Sequence, residues 1–403
     1  MSKKESDKQG KEPNESGLAT SDAQAHPSKP VRVLVVAPSF DILGGQSVQA
    51  ARLIERLRQE TSLEVDFLPI NPRLPGFLRK LQSIRYLRTL STSIVYVAAL
   101  LRRVPKYDVI HIFSASYFSF LLAPTPAILI SKLYGKKTLL NYHSGEAEDH
   151  LQRWSRSAVP TIRLVNELIV PSEYLVRVFD KFNLRARPIY NLIETTNFHF
   201  RERQPLRPVF LSNRNFERHY GVDVLLRCFA LISQSIPEAR LIVAGDGPQR
   251  ASLERLGRDL KLVNVEFVGR VRPEYVTELY DKTDIFLNGS EIDNQPLSIL
   301  EAFACGLPVV TTDAGGIPYM VEHEKTGLLT RCGDYQALAD GAIRLLAEPA
   351  LAQSIIHNGR NECRKFSWDV VRKQWLSLYH GLALEDQSQR HLQIGDPGSS
   401  ESC

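Results

Sequence analysis

The sequence predicts an α/β protein made of two doubly wound domains with a cleft between them. Three observations carry this. Short apolar runs rich in β-branched residues alternate with helical patterns. The alternation breaks once, in a polar and proline-bearing stretch, and then begins again. The length of 403 residues exceeds one ordinary core and suits two domains with tails. Ligands of open α/β sheets bind beyond the carboxyl ends of the strands, so two such sheets imply a functional cleft between them.

Residues 1–30 hold five lysines and five acids but almost no large apolar side chains. Such a segment cannot bury enough surface to offset its ordering entropy, and it lacks the apolar core of a secretion signal. The first domain, 31–200, opens with VRVLVV, a glycine-containing loop PSFDILGGQS and the helical pattern QAARLIERLRQE. The runs LEVDFLPI, YDVIHIF, KKTLLNYH and ELIVPS follow as further strands. They are continuously apolar, as strands of a parallel sheet covered on both faces are. After the connection NLIETTNFHFRERQPLRP, the second domain, 201–365, repeats the pattern with PVFLSN, the helix GVDVLLRCFALISQ, ARLIVAGDG, NVEFVG, DIFLNGS and LPVVTT. Residues 385–403 read as a second disordered tail.

Composition narrows the function. A net charge of +5 is too mild to point to nucleic acid. Cys228, Cys305, Cys332, Cys363 and Cys403 are odd in number and scattered, with no metal-site spacing, which fits reduced thiols in the cytosol. The stretch DNQPLSILEAFACGLPVV is more informative. Asn294-Gln295 can cap a helix with Pro296 in its first turn, which leaves the amides of Leu297 and Ser298 free for a phosphate. Glu301, a turn further in, can accept hydrogen bonds from a ribose diol, and Asp293 can hold hydroxyls on the far side. In isolation such a pair is more often a helix cap and a solvated face.

The surrounding residues shift that balance. SEIDNQPLSILEAFACGLPVVTTDAGGIPYMVEHEKTGLL resembles the signature region of the retaining GT-B glycosyltransferases, family GT4. The resemblance implies two Rossmann-like domains and sugar transfer from a nucleoside diphosphate sugar to a hydroxyl acceptor, without metal or other cofactor. It implies that Glu301 binds ribose, Asp293 the donor sugar, and the amides of Leu297 and Ser298 the diphosphate. Gly44 and Gly45 resemble the family's GG element, Arg214 its arginine, and His143, at a strand end, its cleft histidine. Gly269 and Arg270 fall where base-contacting loops lie. FSWDVVRKQWLSLY resembles a C-terminal helix, 366–384, that returns to the first domain, with Trp368 as packing. The chain departs from the family at Tyr220, where a lysine normally precedes the glycine; Arg218 is the candidate substitute cation.

Between Asn71 and Tyr107 lie eight basic residues, Arg73 to Lys106, and no acid, interleaved with apolar residues. That pattern suits contact with an anionic membrane surface, each cation contributing ~1 kcal/mol. The nine-residue run SIVYVAALL is too short to span a bilayer, which needs ~20. Tyr117 to Ile130 reads as a buried helix. The expectation is a cytoplasmic enzyme, peripheral on the inner face of the membrane. The alternatives are a non-catalytic sugar-nucleotide-binding protein and an epimerase or phosphorylase of the same architecture.

Overall fold

The computed structural model describes residues 29–40, 45–72 and 85–394. Gly44, Arg73, Arg79 and Lys80, and nearly all of the N-terminal segment, lie outside them.

Six parallel strands form the first sheet: β1 (Val31–Ala37), β2 (Leu63–Pro69), β3 (Val109–Phe113), β4 (Lys137–Asn141), β5 (Glu167–Val170) and β6 (Arg187–Pro188), in the order β2-β1-β3-β4-β5-β6. Both faces are covered, which is why β1 shows no apolar–polar alternation. Leu34 and Val36 pack with Tyr96, Leu100 and Ile128 on one face; Val33 and Val35 pack with Leu53, Trp375 and Tyr379 on the other. The second sheet holds β7 (Val209–Asn213), β8 (Arg240–Ala244), β9 (Val265–Gly269), β10 (Ile285–Asn288), β11 (Val309–Thr312) and β12 (Leu328–Thr330), in the order β12-β11-β10-β7-β8-β9. Strand order reverses between β1 and β3 and again between β7 and β10. These are the switch points at whose carboxyl ends a ligand crevice opens.

Several elements depart from the sequence reading. β6 and β12, of two and three residues, lie at sheet edges. The stretch from Tyr117 breaks at Ala123 into helices Phe118–Leu122 and Pro124–Leu133. Pro124 and Pro126 open the second helix, as missing amides there cost nothing. Its Leu129 and Leu133 are exposed, so it is not the wholly buried helix expected. The last helix, Trp368–Ile394, runs past residue 384 into the segment read as a disordered tail. Val371, Trp375, Leu378, Tyr379 and Leu382 dock it on the first sheet, and helix formation propagates from that anchored turn at little cost.

The connection between domains is tied down by arginines. Arg203 is fully buried and donates to the carbonyls of Thr283 (3.0 Å), Tyr280 (2.7 Å), Arg201 (3.0 Å) and Cys305. Tyr280 and Thr283 lie at the C-terminal end of helix Val276–Lys282, and Cys305 ends helix Leu297–Cys305. One guanidinium thus satisfies carbonyls that two helix ends leave open. Asp284 collects Arg201 at 2.5 Å, Arg207 at 2.9 Å and Arg203 at 3.6 Å.

Candidate functional site

A cleft of about 600 Å³ lies between the carboxyl ends of the two sheets, within the range of small-molecule sites. The loops after β1, β3, β7 and β10 all reach it: Pro38, Ser114, Arg214 and Asp293 are among its walls.

Helix Leu297–Cys305 points its N-terminus into the cleft. Its cap residue is Pro296, not Asn294 or Gln295. The Ile299 amide is taken by the Pro296 carbonyl at 3.2 Å. The amides of Leu297 and Ser298 come before the helical ladder starts, leaving an anion-binding end. Asn294 and Gln295 bind the first half of the chain instead. Asn294 Oδ1 accepts from Ser172 Oγ, its Nδ2 donates to the His143 carbonyl at 3.4 Å, and Gln295 Oε1 accepts from the Asn191 amide at 2.8 Å. The expected caps are therefore cross-domain ties. Gly315 and Gly316 pass directly beneath this turn: an added Cβ would sit 2.1 Å from the carbonyl oxygen of Asp293 or of Asn294. Gly315, with φ of +48°, is also left-handed backbone that favours glycine.

Asp293 is buried with hydrogen-bond partners on both of its oxygens. Arg214 pairs with it at 2.5 Å, Ser290 Oγ donates at 3.1 Å, and the Asn294 amide donates at 3.0 Å. Arg214 also reaches Ser298 Oγ at 3.4 Å, and its guanidinium lies 4.0 Å from the centre of the Tyr220 ring. Tyr220 thus brings no cation of its own but supplies a cation–π platform that holds Arg214 over the helix N-terminus. Arg218, the candidate substitute, is exposed and outside the cleft wall, a correction to the sequence reading. The turn Arg218–Tyr220 closes on Gly221, and this one-turn geometry brings His219 and Tyr220 to the cleft while Arg218 faces out.

Glu301 is buried one turn into the helix. Tyr280 Oη donates to its Oε2 at 3.0 Å, and Arg52, from helix Gly45–Leu57 of the first domain, reaches its Oε1 at 3.3 Å. Burial raises the Glu301 carboxyl above its usual range, while Arg52 and Tyr280 pull it back. His143 does not end β4, which stops at Asn141; it stands in the following loop and lines the cleft. Its ring stacks on Phe113 at 5.2 Å, and burial lowers its pKa to about 4, so it is neutral near pH 7. Its Nε2 is buried and has no hydrogen-bond partner.

Gly45 opens its helix at the cleft, with open space where a Cβ would stand; its neighbour Gly44 lies outside the described residues. Arg270 is an exposed residue of the cleft wall. Gly269 is set back behind it, its carbonyl accepting from the Gly245 amide at 2.8 Å. The structure therefore gathers His143, Arg214, Asp293, Leu297, Ser298, Glu301, Gly45 and Arg270 around one cavity, and leaves out Arg218 and Gly269. Sequence reasoning missed Arg52, Tyr280 and Ser290. Among the described residues no group of three or more His, Cys, Asp or Glu side chains is placed to hold a metal ion. The described cysteines are all free, with Cys228, Cys305 and Cys363 buried.

Residues 195–362 match the family model of the glycosyl transferases group 1. The chain is 28% identical over 219 residues to the N-acetyl-alpha-D-glucosaminyl L-malate synthase of Bacillus anthracis, an alignment covering 52% of this chain and 57% of that one. It is 30% identical over 179 residues to a GDP-mannose-dependent monoacylated alpha-(1-6)-phosphatidylinositol monomannoside mannosyltransferase of Corynebacterium glutamicum, covering 42% and 46%. The chain thus spans only about half the length of these curated relatives. Among solved structures, Anabaena Alr3699/HepE in complex with UDP-glucose overlays with a TM-score of 0.70 at 20% identity, covering 87% of this chain and 99% of that one. Sucrose-phosphate synthase from Thermosynechococcus elongatus overlays at 0.67 and 22%, with 87% and 99% covered. The overlays agree with the GT-B arrangement of two Rossmann-like domains.

Proposed function

We propose, from the match of residues 195–362 to the family model of the glycosyl transferases group 1, that the chain is a retaining glycosyltransferase. It moves a sugar from a nucleoside diphosphate sugar to a hydroxyl acceptor and needs no metal. The observation that carries this reading is the helix Leu297–Cys305, whose free N-terminal amides and neighbouring Arg214 face the cleft one turn before Glu301. Amides, helix dipole and guanidinium stabilise the departing diphosphate, as oxyanion-hole donors, worth ~2.7–4 kcal/mol each, stabilise developing charge in acyl transfer. Glu301 accepts from the ribose hydroxyls with the lone pairs that its hydrogen bonds from Tyr280 and Arg52 leave free. Asp293 keeps Arg214 aimed and offers its remaining acceptor capacity to the donor sugar. His143, neutral and with Nε2 unpaired, hydrogen-bonds a sugar hydroxyl. The acceptor hydroxyl attacks from the face the diphosphate leaves, and its proton passes to the leaving phosphate, so no protein nucleophile is needed.

Calorimetric titration with UDP, GDP, ADP and CDP and their common sugar conjugates, in the presence of EDTA, tests this. One diphosphate is expected to bind with micromolar affinity to the wild type and at least tenfold more weakly to Glu301→Ala. Folded protein that binds none of them would overturn the reading. Donor binding with neither transfer nor slow donor hydrolysis would favour the non-catalytic alternative.

The place of action is a membrane surface. Helix Arg85–Arg103 exposes Leu87, Leu90, Ile94 and Leu101 together with Arg88 and Arg102, and Leu129, Leu133 and Lys132 are exposed on helix Pro124–Leu133, against which it packs. Apolar side chains fenced by cations suit an anionic bilayer. The Corynebacterium relative, named for a phosphatidylinositol mannoside substrate, supports a lipid-linked acceptor. Among the described residues no helix is long and apolar enough to cross a membrane. The protein is expected to sediment with phosphatidylglycerol vesicles in low salt and not with phosphatidylcholine vesicles, and Leu90→Glu with Ile94→Glu to abolish this. Equal recovery with both lipids, or with neither, would remove the surface.

A further inference from the structure

The cleft is short of cations for a diphosphate. Its described walls carry three arginines, Arg52, Arg214 and Arg270, and no lysine. Arg214 is already paired with Asp293, Arg270 is exposed at the rim, and Tyr220 and Arg218 contribute nothing positive inside. Arg52 remains. It projects from the first-domain helix Gly45–Leu57, crosses the cleft and places one terminal nitrogen 3.3 Å from Glu301 Oε1. Its other terminal nitrogen is buried with no hydrogen-bond partner. A guanidinium is a fixed fork of donors. Leaving one prong buried and unpaired is costly unless an acceptor arrives there.

The position of the missing acceptor follows from the helix. Glu301 lies three and four residues beyond Ser298 and Leu297, so its Cβ is ~5–6 Å from theirs on the same face. An anion on the amides of Leu297 and Ser298 therefore falls within the span of a guanidinium whose first prong rests on Glu301.

We propose that Arg52 is a donor-site residue contributed by the first domain, bridging Glu301 and the diphosphate and supplying the second cation that Tyr220 does not. This rests on the glycosyltransferase reading, and it makes donor binding a two-domain event. A donor entering the cleft completes the fork of a side chain that already spans both halves. The rival role is a purely structural strap that occupies Glu301 and must be displaced.

The two roles predict opposite signs for Arg52→Met. The probes are the nucleoside diphosphate selected in the titration panel, the corresponding monophosphate and the free nucleoside, titrated into wild type, Arg52→Met and Arg52→Lys. A bridging Arg52 predicts that Arg52→Met weakens the diphosphate about tenfold or more, the range of a charge-assisted hydrogen bond. The free nucleoside should change less than twofold, and Arg52→Lys should recover part of the loss. A strap predicts that Arg52→Met frees Glu301, so that nucleoside and diphosphate bind as well as before or tighter; that result overturns the proposal. Should Arg52→Met fail to fold, Arg52→Lys decides alone. A bridge predicts weaker diphosphate binding from the lost fork geometry with nucleoside unchanged, whereas wild-type affinity for both overturns it. Wild type that binds no diphosphate removes the donor site itself, and the proposal with it.

Discussion

Arg203→Met is expected to lower stability by about 3–5 kcal/mol, the usual cost of removing one partner from a buried ionic cluster. The side chain is fully buried, and four backbone carbonyls lose a hydrogen bond when the guanidinium goes; Cys305 keeps the Arg201 amide at 3.2 Å, Thr283 the Arg201 guanidinium at 3.2 Å and Tyr280 the Thr283 amide at 3.4 Å. Methionine fills much of the volume but offers no hydrogen, and each carbonyl left dry costs ~1–3 kcal/mol before relaxation. Burial lowers the Arg203 pKa only to about 10, so the group is charged in the folded protein at neutral pH. Asp284 would keep Arg201 and Arg207, which limits the loss from the carboxylate side. Burial alone would raise its carboxyl, but the Arg207 and Arg201 hydrogen bonds outweigh it and hold the pKa below the usual range. Arg203→Lys keeps the charge but cannot serve carbonyls in several directions at once, so it should recover only part of the loss. Urea unfolding midpoints for the three proteins measure this directly. A loss below about 1 kcal/mol for the methionine variant would show that the helix ends are satisfied without Arg203. Because Cys305 ends the helix whose N-terminus faces the cleft, donor affinity should fall together with stability.

That cluster also marks where sequence reading stops. Arg203 stands in a polar, proline-bearing connection, and nothing about its neighbours in sequence distinguishes it from a surface arginine. Apart from Arg201, its hydrogen-bond partners lie 77 to 102 residues away in sequence. The strands were legible because parallel strands covered on both faces are apolar throughout, a signal that survives without tertiary information. β6 and β12 were not, because edges of two or three residues carry too few side chains to show a pattern.

The same division holds within the site. Asp293, Leu297, Ser298 and Glu301 lie on one continuous turn and helix, so spacing alone places their groups on one end of one element. Asn294 and Gln295 have good capping chemistry, and local propensity assigned them to the helix; their real partners, Ser172, His143 and Asn191, belong to residues over a hundred positions earlier. Arg52 sits in an ordinary amphipathic helix, and only closure of the two domains reveals that it meets Glu301. Tyr220 shows the limit of reading by position. Its substitution for a lysine looks like a lost charge, yet its ring holds Arg214 in place.

Acidification is expected to unfold the protein well before its carboxylates are protonated, because three histidines are held neutral inside the first domain. Burial, and secondarily His143, brings His111 down to about 3; burial brings His143 and His150 to about 4. His111 is fixed between Tyr379 Oη at 2.7 Å and Asn141 Nδ2 at 3.2 Å, and His150 lies 2.7 Å from Tyr142 Oη; only Asp149 near His150 opposes its shift. Each folded pKa is below the unfolded value near 6.5, so the unfolded chain takes up protons first as pH falls. The stability is therefore complete above about pH 6.5 and is lost progressively toward pH 4. At pH 5 each histidine has given up roughly 2 kcal/mol, and three together about 6, comparable to the whole stability of many domains. Urea unfolding at intervals from pH 7.5 to 5 should show stability falling with a slope approaching three protons. His150→Gln, which keeps a polar partner for Tyr142, should flatten that slope by about one proton. Stability that stays level across this range would mean that the buried imidazoles accept protons in the folded protein. His143 would then carry charge in the cleft near neutral pH, contrary to the neutral hydrogen-bonding role assigned to it.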